Sequence, residues 1–558
     1  MSTPHSRRQF IRGFALGTAA VSLAACGGGN GATFSASFAH GVASGDPQAD
    51  RVIIWTRATP SELRDFEVRW EVASDEQFAG VVKSGSVNTG AARDFTVKVD
   101  VTGLGAGSVY FYRFWVGDSR SPTGRTKTLP SGKVEQVKLA VFTCSNYPAG
   151  YFNVYAEAAR LNDIDAAVHL GDYIYEYPRD GYASKDAAAL KREVEPKNQI
   201  VTLTDYRSRY AQYRGDADLQ ALHAKLPFIA VWDDHEFAND TWTGGAENHN
   251  PATEGPFSAR RGAALQAYHE WMPIRLPDAA RPDRIYRSFD FGALVSLHML
   301  DTRVIGRDKQ LSYNDYTGAA GFDAARFGAD MADPGRQLMG AEQTAWLQQQ
   351  MRASTATWQI LGQQVLMARM HIPAPLALQQ IGFGDYLALA GKAQQDPASL
   401  TPAQRLMLAQ PSVPYNLDAW DGYGAARETV LGMARAMDKN LITLAGDTHN
   451  SWASDLADMH GKAVGVEFGV TSVTSPGFEY IFPNESPATV AAGLEQVIGP
   501  LVYAETEHRG FMIVTATQSQ AWAEWRYVST VKSQTYTALP GKTLRTLPGA
   551  ANRKLLAV

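Results

Sequence analysis

Between about Phe38 and Pro130 the apolar residues come in short runs separated by Gly, Asp and Ser. "RVIIWTRA", "EVRWEVASD", "FTVKVDVTGL" and "VYFYRFWVGD" are rich in Val, Phe, Tyr and Trp. Runs of this length and composition at this spacing predict an immunoglobulin- or fibronectin-like β-sandwich. After "TLPSGK" the pattern changes. "VKLAVFT" reads as a strand, and "FNVYAEAARLN" as a helix with Phe152, Tyr155, Ala156 and Ala159 on one face. "DAAVHL" is the next strand, which completes a βαβ unit and predicts parallel pairing.

Further apolar strands are "LPFIAVW", "ALVSLHML", "WQILGQQ" and "NLITLAG". Helical or irregular insertions are expected around 180–225 and 375–430. "GFMIVTATQ" and "AWAEWRYVSTV" predict a closing hairpin of the same domain. The fold class expected is α/β (α+β), with the sandwich first.

The N-terminus does not belong to this pattern. Arg7 and Arg8 form a twin-arginine pair, followed by an apolar segment from Phe14 to Ala25 that is too short to span a bilayer. This predicts a signal peptide over 1–25 and export through the twin-arginine translocase; an amphipathic helix is the alternative. "LAAC", Leu23 to Cys26, resembles a bacterial lipoprotein cleavage box. Lipidation of Cys26 would anchor the chain to a membrane, facing the periplasm or the cell surface; ordinary cleavage nearby would free it. The flexible linker then runs over 26–36.

Composition narrows the class. The chain has 558 residues, 45% of them apolar and 20% charged, which fits a globular protein of about two domains. A formal net charge of −5 gives no sign of a nucleic-acid partner. There are 2 cysteines. If Cys26 is lipidated or removed, Cys144 has no intramolecular disulfide partner, which is unusual in an oxidising compartment.

The polar residues that end each strand carry the chemistry. They are Cys144, Ser145 and Asn146; Asp172, Tyr173 and Tyr175; Asp233, Asp234, His235 and Glu236, with Asn239 close behind; Asp301 and Arg303; and Asp447 and His449. Ligands bind outside the carboxyl ends of strands in layered α/β proteins. Thiolate, carboxylates, imidazoles and a phenol are metal ligands. Singly, an aspartate at a strand end can be a helix cap and His235 a structural histidine. Asp301 and Arg303 read as an ion pair with each other, and Asp421 as either a site residue or a turn residue. No serine-hydrolase elbow, phosphate loop or dinucleotide fingerprint is present.

The motifs "FTCSNY", "HLGDYIYEY", "LPFIAVWDDHEFAND", "LDTR", "NLDAWDGY" and "LAGDTHNSW" resemble the alkaline phosphatase D family of calcineurin-like metallophosphoesterases, over nearly the whole chain. The resemblance implies a sandwich domain over 37–131 and a four-layer αββα catalytic sandwich over 132–558. It also implies hydrolysis of phosphate monoesters, and often diesters, with an iron–calcium centre. The superfamily's Asp-then-Tyr pattern matches Asp172 and Tyr175. Its Gly-Asn-His pattern appears as Asp233-Asp234-His235, and its Gly-His-x-His pattern as Gly446-Asp447-Thr448-His449. Cys144 stands where the superfamily has its first aspartate ligand.

The expected metal ligands are therefore Cys144, Asp172, Tyr175, Asp234, Asp447 and His449. Thiolate, phenolate and imidazole suit Fe³⁺. The all-carboxylate side suits Ca²⁺. In the expected mechanism the metals, with Asp172 bridging, activate water for in-line attack on phosphorus, and His235 assists the leaving group. Asn146, Asn239 and Arg261 are candidates to hold phosphate oxygens, although Arg261 lies in a helix where a solvated residue is the alternative. The rival functions are a phosphodiesterase or phospholipase D-like enzyme preferring diesters, and a non-catalytic surface lipoprotein.

Overall fold

The run Arg51–Arg57 has no polar alternate positions, and its surroundings explain why. It is a strand covered on both faces. Val52 and Ile54 pack with Val68, Val72, Tyr112 and Phe114 in the N-terminal module, while Trp55 faces the main core. The computed structural model describes residues 34–319 and 321–558. The expected signal peptide and Cys26 lie outside the described residues.

Two large mixed sheets build the main body of the chain. In the first, the strands Val137–Phe142, Ala166–His169, Pro227–Ala230 and Val42–Gly45 run parallel side by side. The hairpin Arg509–Ala516 and Ala521–Val528 extends this sheet beyond Val137–Phe142. In the second, Val295–Met299, Trp358–Gly362, Leu441–Ala445 and Ala463–Gly469 are the parallel neighbours. Leu139, Val141, Val168 and Ile229 of one sheet share a core with Leu297, Ile360, Ile442 and Phe468 of the other. Outside the first sheet, the helices Ala217–Lys225 and Phe257–Trp271 contribute Leu219, Leu222, Tyr268 and Trp271 to the same core. Outside the second, Gly340–Ala353 and Gly424–Ala436 bury Leu347, Met351, Val430 and Leu431 against Leu441 and Val464. The layers are thus helix, sheet, sheet, helix.

The N-terminal module is less separate than its sequence suggests. One of its two faces is made by Val42–Gly45, Arg51–Arg57 and Thr96–Thr102, which are the last three strands of the first large sheet. The junction is a parallel pairing of Ser44 and Gly45 with Pro227 and Phe228. The five-stranded sheet that holds Phe66–Ala73 and Val109–Val116 closes the module on the other side.

The expected face of the first helix is also shifted. The helix begins at Asn153, and Val154, Tyr155 and Ala158 are buried, whereas Ala156 and Ala159 are only partly covered. No described helix is long and apolar enough to cross a membrane.

Glu467, on Ala463–Gly469, is fully buried and accepts the backbone N–H groups of Met367 (2.6 Å) and Ala368 (2.9 Å). Burial pushes its carboxyl up from 4.5 to about 7. The folded chain then holds a proton that the unfolded chain has released. Its contribution to stability is therefore present below about pH 4.5 and is lost as pH rises towards about 7. Glu467→Gln is expected to flatten this slope. Urea midpoints across that range should converge in the variant relative to the parent; an unchanged slope would assign the pH dependence to other groups.

Candidate metal centre

The carboxyl ends of the parallel strands from both sheets converge, and tight backbone makes this possible. A Cβ on Gly171 would lie 2.4 Å from the Asp233 nitrogen, and one on Gly446 would lie 2.4 Å from Thr143 Oγ1. Only glycine lets the strand ends approach so closely. The residues that follow turn sharply. Cys144, Asp172, Asp447 and His449 all have positive φ, between 57° and 64°. Four non-glycine residues in the left-handed region, all candidate ligands, mark a site held in shape by its surroundings.

Three buried or nearly buried groups result, each with ligand atoms within 4.8 Å of one another: Cys144, Asp172 and His449; Asp172, Asp234 and His235; and Asp233, Asp234 and Asp447. Asp172 and Asp234 each belong to two of them, so the three form one continuous centre. Cys144 Sγ lies 3.4 Å from Asp172 Oδ2. The Tyr175 hydroxyl donates to the same oxygen at 2.8 Å and lies 3.3 Å from His449 Nε2.

The charges do not balance within the protein. Burial and the neighbouring Asp233 and Asp234 hold the Asp172 carboxyl well above its usual value, despite the opposing pull of His235. Burial pushes Asp447 up to about 7 and raises the Cys144 thiol further still, with Asp172 adding to it. Asp233 Oδ2 and Asp234 Oδ1 are buried with no hydrogen-bond partner. Burying charged oxygens unpaired is costly, so the donor set fits bound cations. A bound metal would reverse these pKa directions.

The comparisons agree with this geometry. The model for the PhoD-like phosphatase family matches residues 139–525, and that for its N-terminal domain matches residues 24–130. The chain belongs to the PhoD-like phosphatase family. Alkaline phosphatase D of Bacillus subtilis (strain 168) is 35% identical over 546 residues, covering 93% of this chain and 84% of that protein. A solved structure described as PhoD superposes with a TM-score of 0.77 at 33% identity, covering 94% of this chain and 92% of that one. The chain is accordingly a phosphoric ester hydrolase of the alkaline phosphatase D type.

Within this PhoD-like fold the other expected site residues fall as follows. His235 borders the centre, with Nδ1 2.7 Å from Glu176 Oε2 and its ring stacked on Tyr175 at 4.2 Å. Burial alone would lower it, but Asp234, Asp172 and Glu176 outweigh burial and hold it well above its usual value. Asn146 is buried and reaches the Tyr182 carbonyl at 3.4 Å. Asn239 accepts from the Tyr177 hydroxyl at 3.0 Å and gives its backbone N–H to Glu176 at 2.7 Å. Arg261 is not brought to the cluster: it donates to the Thr243 carbonyl at 3.2 Å and pairs with Asp283 at 3.5 Å.

The expected Asp301–Arg303 ion pair is replaced by two separate roles. Asp301 accepts the backbone N–H groups of Arg303, Val304 and Ile305, which shapes the turn. The fully buried Arg303 instead crosses between sheets to Asp233, to Asp418 at 2.7 Å and to Asp447 at 3.0 Å. Asp421 accepts the N–H of Met370, 51 residues away in sequence, at 2.6 Å, so it ties two distant segments together and does not shape a local turn. Asp418, three positions earlier in the same motif, is the one that faces Arg303.

Sequence reasoning missed Glu176, and listed Glu236 among the strand-end residues without assigning it a role. Glu236 accepts N–H groups from Asp172 (2.9 Å), Tyr173 (2.5 Å) and Asp233 (2.7 Å), tying two strand ends together. Both lie inside quoted motifs, next to Tyr175 and His235, and their position there was the available signal.

Proposed function

We propose that this chain is an exported, metal-dependent phosphatase that hydrolyses phosphate monoesters and also diesters. The observation that carries the reading is the sharing of Asp172 and Asp234 among three ligand groups, which supports a multinuclear centre. Cys144, Tyr175 and His449 around Asp172 suit iron, and Asp234 with Asp447 suits calcium. Metal ions held there supply Lewis acidity toward phosphate oxygens and lower the pKa of water.

The chain's own residues do the rest. Glu176 fixes His235 through Nδ1, which leaves Nε2 to give a proton to the departing ester oxygen. Tyr175 stacks on that imidazole and Tyr177 packs against it at a tilt, which together leave it nearly buried. Asn146 and Asn239 are the amides assigned to phosphate oxygens, with the Asn239 amide also shared between Tyr177 and Glu247. Arg303 keeps the carboxylates of both sheets at fixed separation.

A diester preference is the second reading, and a cavity beside the centre favours it. The cavity has a volume of about 730 Å³ and is bounded by segments around Gly181–Asp186, Thr474–Tyr480 and Val528–Lys532. Pro476 lines it and also accepts from His449 Nδ1 at 2.8 Å. That volume would hold a second ester substituent. Export and lipid anchoring to a periplasmic or surface-facing membrane rest on Arg7, Arg8 and Leu23–Cys26.

The test is metal analysis of protein exported by its native route, with turnover measured on matched mono- and diesters. Iron and calcium are expected, and Cys144→Ala should lose iron together with the visible absorption band. Protein that carries no metal, or is inactive with both supplied, would overturn the metallophosphatase reading. A diester rate well above the monoester rate would make the second reading the right one.

A further inference from the structure

The segment Val473–Pro476, after the strand Ala463–Gly469, contains no carboxylate, imidazole, thiol or phenol, yet it touches Cys144, Tyr175 and His449 on the thiolate side of the centre. Val473 N donates to the Thr143 carbonyl at 3.0 Å. Thr474 N and Ser475 N both donate to the Cys144 carbonyl, at 3.3 and 3.4 Å. Thr474 Oγ1 donates to the Asn146 carbonyl at 2.7 Å. The Pro476 carbonyl can only accept, so His449 Nδ1, 2.8 Å away, must carry a hydrogen. The neutral imidazole, which burial holds down to about 3, then keeps Nε2 bare beside Tyr175.

Ser475 completes the strap. It is fully buried, and its hydroxyl lies 2.7 Å from the Tyr175 oxygen and 3.1 Å from the Cys144 carbonyl. A serine has one hydroxyl hydrogen. The Cys144 carbonyl already accepts two backbone N–H groups, whereas the bare His449 Nε2, 3.3 Å from the Tyr175 oxygen, has no hydrogen to give it. The shorter distance and the greater need both direct the hydrogen to Tyr175.

We propose that Ser475 is a positioning residue for the metal centre, donating to the Tyr175 oxygen and so setting how much negative charge that ligand presents to a metal. This rests on the metal-centre reading above and deepens it. A phenolate that loses its hydrogen-bond donor holds its lone pairs at higher energy, so a ligand-to-metal band should move to longer wavelength. Partners of this outer kind also tune metal affinity by roughly 10- to 100-fold.

The test compares Ser475→Ala with Thr474→Val in the full metal-loaded chain. Both delete one buried hydroxyl, but only the first faces Tyr175. Ser475→Ala is expected to move the visible band to longer wavelength and to release metal to a chelator roughly 10-fold more readily. Thr474→Val should leave the band where it is in the parent. If the two variants lose thermal stability alike and neither moves the band, Ser475 is only a structural serine and the proposal fails. If the parent binds no metal and shows no band, the metal-centre reading fails with it, and that result is distinguishable from the first.

Discussion

Asp172→Ala is expected to reduce ester hydrolysis by at least about 10³-fold, equivalent to about 4 kcal/mol of barrier. The size follows from position. Asp172 belongs to two of the three buried ligand groups, and its Oδ2 accepts from Tyr175 and lies against Cys144. Removing it separates the groups instead of weakening one of them. The sign on stability is opposite. In the metal-free chain, burial and the nearby Asp233 and Asp234 make a charged Asp172 unfavourable at neutral pH. Asp172→Asn keeps the shape and removes the charge. After chelation, that variant should therefore unfold at higher urea than the parent. Full activity in the alanine variant would remove the carrying observation of the proposed mechanism. Equal apo stability in the asparagine variant would show that the site relaxes its charge some other way.

The second large effect is on folding. Arg303→Met is expected to cost roughly 3–5 kcal/mol, because it leaves buried carboxylates without their cation. Arg303 is fully buried between Asp233, Asp418 and Asp447, with Asp234 at 3.7 Å. Arg303→Lys should recover little of the loss. A single ammonium cannot present the planar fork that spans three carboxylates from different strand ends. Chemical denaturation of the two variants decides this, and a lysine variant as stable as the parent would show that charge alone suffices. Excess calcium should restore part of the stability lost in Arg303→Met if the carboxylates it exposes are those that bind cations.

Much of the site was readable because its chemistry sits at strand ends. The apolar runs "VKLAVFT", "DAAVHL" and "NLITLAG" stop at Cys144, Asp172 and Asp447, and the structure brings these residues together. Arg303 was legible as buried chemistry but not in its pairing. The partners of a guanidinium that crosses between sheets lie 70 or more residues away, and nothing local to "LDTR" names them. The strap Val473–Pro476 was not legible at all. It acts through one carbonyl, three backbone N–H groups and two hydroxyls, and "VTSP" carries no pattern that distinguishes such a segment from an ordinary loop. The merging of the N-terminal module into the large sheet was hidden for a related reason. Val42–Gly45 is not among the runs that read as strands, and nothing in its four residues names the edge it joins.

That merging bears on how the molecule is assembled. The first sheet places Val42–Gly45 beside Pro227–Ala230, and Val137–Phe142 beside Arg509–Ala516. A central strand therefore waits for a neighbour that is made more than 350 residues later in the chain. Such distant pairings slow folding because chain closure must precede the contacts that stabilise it. The N-terminal module leaves one strand edge, Val42–Gly45, unpaired until Pro227–Ala230 has been made. Completion of this sheet is an event of the whole chain, and a nascent polypeptide that ends short of Ala516 leaves Val137–Phe142 as an open, apolar edge.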